Sequence, residues 1–214
     1  MKAIPREVGK SITHSRELRE LRVRLALTEY QKQIATGSLL GDGSLIPNAW
    51  GKGYRLQIEQ GERQKDYCFW KYETLKDFVL SVPQFQENKK SWKFRTISHP
   101  EFTQMATEWY DEYRQKIIPT IMNNFSPLAL AVWYMDDGGL RKEHGKIYGA
   151  FLNTQSFSPE DNKILQKLLV SYGIETLLMP NKGKIRLYIP NRILSAFRKL
   201  IESYIHESMR YKLF

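Results

Sequence analysis

One half of this sequence is written over the other at an offset of about 95 residues. Residues 35–43 (Ala-Thr-Gly-Ser-Leu-Leu-Gly-Asp-Gly) end an apolar run in Asp-Gly, and residues 130–138 (Leu-Ala-Val-Trp-Tyr-Met-Asp-Asp-Gly) do the same, with Asp42 and Asp137 95 apart. A glutamine, Gln60 or Gln155, follows each acid by 18 residues. The turn Asn88-Lys-Lys-Ser-Trp-Lys-Phe is echoed by Asn181-Lys-Gly-Lys-Ile-Arg-Leu, and Lys116 and Lys212 follow their acids by 74 and 75 residues. Four features in the same order make the chain a tandem duplication.

Caps and periodicity give the content of each unit. Thr28-Glu-Tyr-Gln31 is a capping box opening a helix to about Leu40. Ser126-Pro127 supplies an N-cap with proline at the first helical position, opening the matching helix to about Asp136. Gly43 and Gly138-Gly139 are expected to end these helices. Tyr54, Leu56 and Ile58 alternate with Arg55, Gln57 and Glu59, the period of a half-buried strand. A helix over about 62–79 has a partner running from Ser158-Pro159 to Gly173. Further hairpins follow around Trp92/Phe94 and Ile185/Leu187/Ile189, and closing helices cover about 100–115 and 191–204. The order is αββαββα twice, an α+β fold. The expected divisions are a basic extension over 1–27, a first repeat over 28–120 and a second over 121–214, with residues 117–125 as linker.

An aspartate in the last turn of a helix faces the negative end of the macrodipole and costs about 0.3–1 kcal/mol. The sequence accepts that cost in both halves and sets Asp136 beside Asp137. If the two helices pack about a pseudo-twofold axis, the carboxylates also repel. A shared divalent cation would relieve both penalties, and hard oxygen ligands with helix-end carbonyls suit magnesium. Gly37 and Gly41, four apart, each cost about 1 kcal/mol against alanine in a helix. Close approach of another backbone accounts for them, or for Gly41 a C-terminal cap.

Thirty-three Lys and Arg against 23 Asp and Glu leave a formal charge of +10. That balance favours a polyanionic partner, since each neutralised phosphate releases counterions. A single cysteine, Cys68, excludes an internal disulfide framework and a thiolate zinc cluster. No apolar stretch reaches the ~18 residues needed to span a bilayer. Residues 1–27 are basic, but Glu7, Glu17 and Glu20 argue against an organellar targeting peptide, and no secretory segment is present. A bacterial cytoplasm, a plastid or a mitochondrion fits. His14, His99, His144 and His206 show no zinc spacing, and the tryptophans, Trp50 included, recur at core-packing intervals.

Residues 35–43 and 130–138 resemble the LAGLIDADG motif, and the duplicated αββαββα order resembles single-chain, two-repeat homing endonucleases over the whole chain. Residues 126–139, 152–157 and 209–213 are similar to the matching stretches of monomeric members of the mitochondrial omega-intron type. The resemblance implies two four-stranded antiparallel sheets forming a saddle on DNA, with the motif helices as the central pair. It implies Mg²⁺-dependent cutting of double-stranded DNA across the minor groove, leaving short 3′ overhangs in a long asymmetric target, by a monomer encoded within an intron. Two or more ions would be held by Asp42 and Asp137 with the carbonyls of Gly41 and Asp136. Mn²⁺ would substitute, and Ca²⁺ would bind without cleavage. Gln60 and Gln155 fall where the family positions the attacking water, or are ordinary strand-end amides. Lys116 and Lys212 match its active-site lysines, or are simple phosphate contacts; Lys212, near the terminus, is expected to order on DNA. The sixth motif position, commonly acidic, is Leu40 and Met135, and Val132 and Asp136 stand where the first copy has glycine, so the helix pair must be asymmetric.

Strand parity then turns Arg55, Gln57, Glu59, Lys93 and Arg95 in the first half, and Lys184, Arg186 and Tyr188 in the second, toward DNA bases. Lys89, Lys90, Lys142, Lys146 and Lys182, nearer turns, are expected on phosphates. Two other readings share the same basic surface: a maturase that binds intron RNA during splicing, and a DNA-binding regulator that has lost cleavage. Two intact acids argue against the second.

Overall fold

The computed structural model describes residues 16–49 and 51–213. Residues 1–15 of the basic extension, His14 among them, and Trp50 lie outside it. Seven α-helices and eight strands are defined among the described residues: α1 (Arg16–Arg24), α2 (Glu29–Leu40), β1 (Ser44–Pro47), β2 (Tyr54–Gly61), α3 (Lys65–Leu75), β3 (Gln84–Gln86), β4 (Ser91–Arg95), α4 (Pro100–Trp109), α5 (Pro127–Asp137), β5 (Gly138–Glu143), β6 (Lys146–Leu152), α6 (Pro159–Ser171), β7 (Leu177–Asn181), β8 (Lys184–Pro190) and α7 (Asn191–Ile201). The strands make two four-stranded antiparallel sheets with the same order, β1-β2-β4-β3 and β5-β6-β8-β7. The fold is α+β, the same motif twice.

The caps work as their chemistry requires. Thr28 Oγ1 accepts from Gln31 N–H while Gln31 returns its side-chain oxygen to Thr28 N–H, and Ser126 Oγ accepts from Ala129 N–H. α2 and α5 then pack against each other as the centre of the molecule. Residues 34–40 and 128–136 are buried all round, as expected of helices wrapped by protein on every side. Gly37 and Gly41 make the packing possible. A Cβ on Gly37 would stand 2.7 Å from Val132 Cβ and closer still to the Ala129 carbonyl oxygen. One on Gly41 would stand 2.9 Å from Asp136 Oδ2 and closer to its Cβ. Gly41 also caps α2, its N–H reaching the carbonyls of Gly37 and Ser38.

α2 ends at Leu40 as the sequence reading has it, though Gly41 rather than Gly43 caps it. Other helices differ: α3 is flanked by 3-10 turns at Glu62–Gln64 and Lys76–Phe78 rather than being one helix over 62–79. α4 ends at Trp109, six residues before its expected end. Beyond it Arg114 adopts φ 61°, Gln115 N–H donates to Asp111 Oδ1 at 2.7 Å, and Tyr110 bridges to Lys116. The chain doubles back there, and the reversal brings Lys116 to the end of α2. α1 was not expected. It is held by buried Leu18 and by His99, whose Nε2 lies 3.1 Å from the carbonyls of Arg22 and Leu25 while Nδ1 accepts from Glu101 N–H.

The halves also slip by one residue. Two residues after each motif acid, Ser44 pairs with Gln57 but Gly139 pairs with Phe151. Beyond the first hairpin the halves therefore correspond at an offset of 94. The inward faces of the next helices agree: Tyr67, Cys68, Lys71 and Leu75 in α3 match Asp161, Asn162, Leu165 and Leu169 in α6.

Candidate active site

The two motif helices bring their acids together at one end of the central pair. Asp137 is the last residue of α5, half-buried; Asp42 lies two residues past α2 and is the more exposed of the two. Both carboxyls are pushed up. Asp42 reaches about 6, first through lost hydration and then through the charge of Asp136; Asp137 reaches about 7, through lost hydration and then the charges of Asp42 and Asp136. The backbone bond from Asp42 N–H to Asp136 Oδ2, 3.3 Å, ties the end of one motif helix to the residue before the second acid.

Each acid is flanked by a lysine on helix-end carbonyls. Lys116 Nζ donates to Leu39 O at 2.8 Å, Gly43 O at 2.8 Å and Gly41 O at 3.4 Å. Lys212 Nζ donates to Met135 O at 2.5 Å and Asp136 O at 3.0 Å. Cations there oppose the negative helix ends. Burial lowers the pKa of both ammoniums, with the three aspartates pulling the other way. Near the end of the chain, Lys212 is docked against the end of α5. It closes the 3-10 turn Glu207–Lys212, whose Met209 is fully buried, and its carbonyl accepts from Tyr134 Oη at 2.8 Å.

Asp136 does something the sequence reading missed. Its side chain is wholly buried and paired with Lys71 of α3, equally buried, whose Nζ lies 2.8 and 2.9 Å from the two carboxylate oxygens. Gln60 Nε2 donates to Oδ1 at 3.1 Å and Asp42 N–H to Oδ2 at 3.3 Å. Lys71 also stands 4.5 Å over the Tyr67 ring, and Tyr67 Oη donates to Val132 O. A charged residue on an inward helical stripe was the available signal: Lys71 shares the face of Tyr67, Cys68 and Leu75.

The two glutamines are not equivalent. Gln60 lies in β2, buried on its helix side, with Oε1 left without a hydrogen-bond partner. Gln155 falls three residues past β6, half-buried, and donates to Asn153 Oδ1 at 3.4 Å. Because of the one-residue slip, Gln60 corresponds to Thr154, whose hydroxyl is given to Asn162. Asn153 is the residue that reaches the second acid, its N–H and Nδ2 both donating to Asp137 O.

On the sheet faces away from the helices, Arg55, Gln57, Lys93 and Arg186 are half-buried, Arg95 and Lys184 exposed. Lys89, Lys90, Lys142, Lys146 and Lys182 are exposed at or beside hairpin turns. Two members of the expected set are already engaged. Tyr188 is buried and its hydroxyl donates to Tyr148 O at 2.6 Å, so it offers no free hydroxyl to a base. Glu59 accepts from Ser91 Oγ at 2.7 Å and from Lys89 at 3.3 Å, with Lys93 nearby; these contacts hold its carboxyl below the usual range against the effect of burial. Arg186 stacks on Phe151, 3.4 Å from ring centre.

The donors at the convergence suit a hard divalent cation. Two carboxylates, the carbonyls of Gly41 and Asp136 and the unpartnered Gln60 oxygen are all oxygen ligands. Among the described residues no three His, Cys, Asp or Glu side chains form a closed cage. Such a partial set fits an ion that keeps waters and takes phosphate oxygens.

A duplicated fold whose paired helices end in converging acids, each beside a lysine, with basic side chains spread over two open sheet faces, is that of an enzyme acting on a polyanion. Residues 32–197 match the LAGLIDADG DNA endonuclease family. The chain belongs to that family and is a DNA endonuclease by class. It is 32% identical to DNA endonuclease I-ChuI of Chlamydomonas applanata over 88% of this chain and 96% of that protein. It is 31% identical to the cytochrome b mRNA maturase bI2 of Debaryomyces hansenii over 83% of this chain and 71% of that one. The solved homing endonuclease I-WcaI bound to its DNA recognition sequence superposes with a TM-score of 0.86 at 26% identity, covering 97% and 96% of the two chains.

Proposed function

We propose that the chain is a site-specific homing endonuclease that acts as a monomer on a long asymmetric DNA target. It hydrolyses one phosphodiester in each strand across the minor groove, leaves short 3′ overhangs and depends on Mg²⁺, with Mn²⁺ able to replace it and Ca²⁺ supporting binding alone. The observation that carries this reading is the meeting of the motif acids Asp42 and Asp137, each beside a half-buried lysine, at the ends of two packed helices. When bound, the metal supplies charge neutralisation at the phosphate and acidifies an attacking water. Asp42 and Asp137 hold it, with the Gly41 and Asp136 carbonyls. Lys116 and Lys212, made less basic by burial, stabilise charge developing on the phosphate. Gln60, and Asn153 in place of Gln155, orient polar groups beside the acids. The open faces bind the duplex, Arg55, Gln57, Lys93, Arg95, Lys184 and Arg186 toward bases and the turn lysines toward phosphates. The gene is intron-borne, in a bacterium, plastid or mitochondrion.

The test is a plasmid carrying the joined exons that flank the reading frame. Wild-type protein with Mg²⁺ is expected to linearise it. Asp137→Asn is expected to bind the same duplex and at most nick it; complete cutting by that variant would show that Asp137 is not needed to hold the metal. The maturase relative favours a second reading, assistance to splicing of intron RNA. Accelerated splicing of the intron transcript by purified protein, in the absence of DNA cutting, would move the assignment there.

A further inference from the structure

We propose that Lys71 and Asp136 form a one-sided strut that positions Asp42 for the cutting of one DNA strand. The inference rests on the endonuclease reading and assigns both side chains a positioning role, distinct from the Asp136 backbone carbonyl at the metal site, which the substitutions below leave in place.

The two acids are held differently. Asp137 belongs to α5 and is carried by its helix. Asp42 lies beyond α2, and while the N–H groups of Gly41 and Gly43 return to the helix, that of Asp42 donates to Asp136 Oδ2 instead. Asp136 therefore does for Asp42 what another helical turn does for Asp137. Its carboxylate is fixed in turn by Lys71 on both oxygens and by Gln60 on one. Lys71 is anchored over Tyr67, whose hydroxyl bonds to α5.

Among the described residues, no matching device serves the other side. The second half has Leu165, Thr154 and Asp161 where the first has Lys71, Gln60 and Tyr67, and the first half has Gly41 where the second has Asp136. Stability alone does not call for the pair, because an apolar pair of similar volume is commonly as stable as a buried ion pair. A fixed acceptor for one amide is something an apolar pair cannot provide.

The experiment compares Lys71→Met/Asp136→Leu, which removes both charges and the acceptor, with Lys71→Met/Asp136→Asn, which keeps an oxygen for the Asp42 amide. Melting temperature, affinity for the joined-exon duplex, hydrogen exchange of the Asp42 N–H in metal-free protein and single-turnover cutting of each end-labelled strand are measured. The leucine variant is expected to melt and bind as wild type, to exchange the Asp42 N–H at least tenfold faster, and to cut one strand at least tenfold more slowly with the other within threefold. The asparagine variant is expected to return within threefold of wild type on every measure. Wild-type rates on both strands in the leucine variant, or equal loss on both with no recovery by asparagine, would overturn the strut. If the leucine variant does not fold, Lys71→Met/Asp136→Ala is judged by the same criteria, and failure of both to fold makes the pair purely structural. Should wild type itself not cut, the endonuclease reading fails, and amide exchange still judges the strut.

Discussion

At the scale of single residues, the site is a set of charges that the fold crowds together. Both motif acids are protonated more readily in the folded chain than in the unfolded one, where they titrate near 3.8. Between about pH 4 and 7 the native state thus binds more protons. Stability from these groups is highest at low pH and falls as pH rises through about 6–7. Without divalent ions, Asp42→Asn/Asp137→Asn should melt roughly 5 °C above wild type at pH 8, and the gain should shrink severalfold by pH 4.5. Calorimetry at the two pH values checks this, and Mg²⁺ should raise the wild-type midpoint while leaving the double variant unmoved. Lys71→Met alone should cost about 3–5 kcal/mol in urea unfolding, because it strands a buried carboxylate. Asp42, Asp137, Lys116 and Lys212 were legible because each recurs at a fixed interval. Lys71 was not, because it has no echo: position 165 is leucine, and periodicity shows only what is said twice.

At the scale of helices and strands, what a local cap decides was legible and what a distant contact decides was not. Thr28, Ser126 and Ser158 carry their own hydrogen-bonding chemistry, so the caps could be read locally. The end of α4 depends on Tyr110 pairing with Lys116 across a turn, a contact made only after the chain has folded back. The equal 18-residue spacing of Gln60 and Gln155 misled for a related reason. A hairpin one residue shorter between acid and partner strand displaces everything after it. Gly37→Ala should test the helix pair, since the added methyl meets the Ala129 carbonyl and Val132. Overpacking of this kind should lower stability by about 1–3 kcal/mol in denaturant titration. Gly139→Ala, where a Cβ would meet nothing within 4 Å, provides the control.

At the scale of the molecule, a formal charge of +10, with basic side chains on both open sheet faces, makes binding an exchange of counterions for side chains. Affinity for duplex DNA should fall at least hundredfold between 50 and 200 mM salt, measured by fluorescence anisotropy. A change under threefold would mean that phosphates are not the main contact. The two like sheets around a central helix pair were legible because the repeat carries the same capped helix and alternating strands in each half.

The duplicates are no longer interchangeable. Two copies of the first half would set Gly41 against Gly41, leaving a void at the seam and a lysine in each copy without its counter-ion. Two copies of the second would drive a pair of aspartates into the same space. Since the gene doubled, each half has become an obligate complement of the other, so a chimaera grafting either repeat onto a foreign one must supply both the bare glycine and the acid that fills the room it leaves.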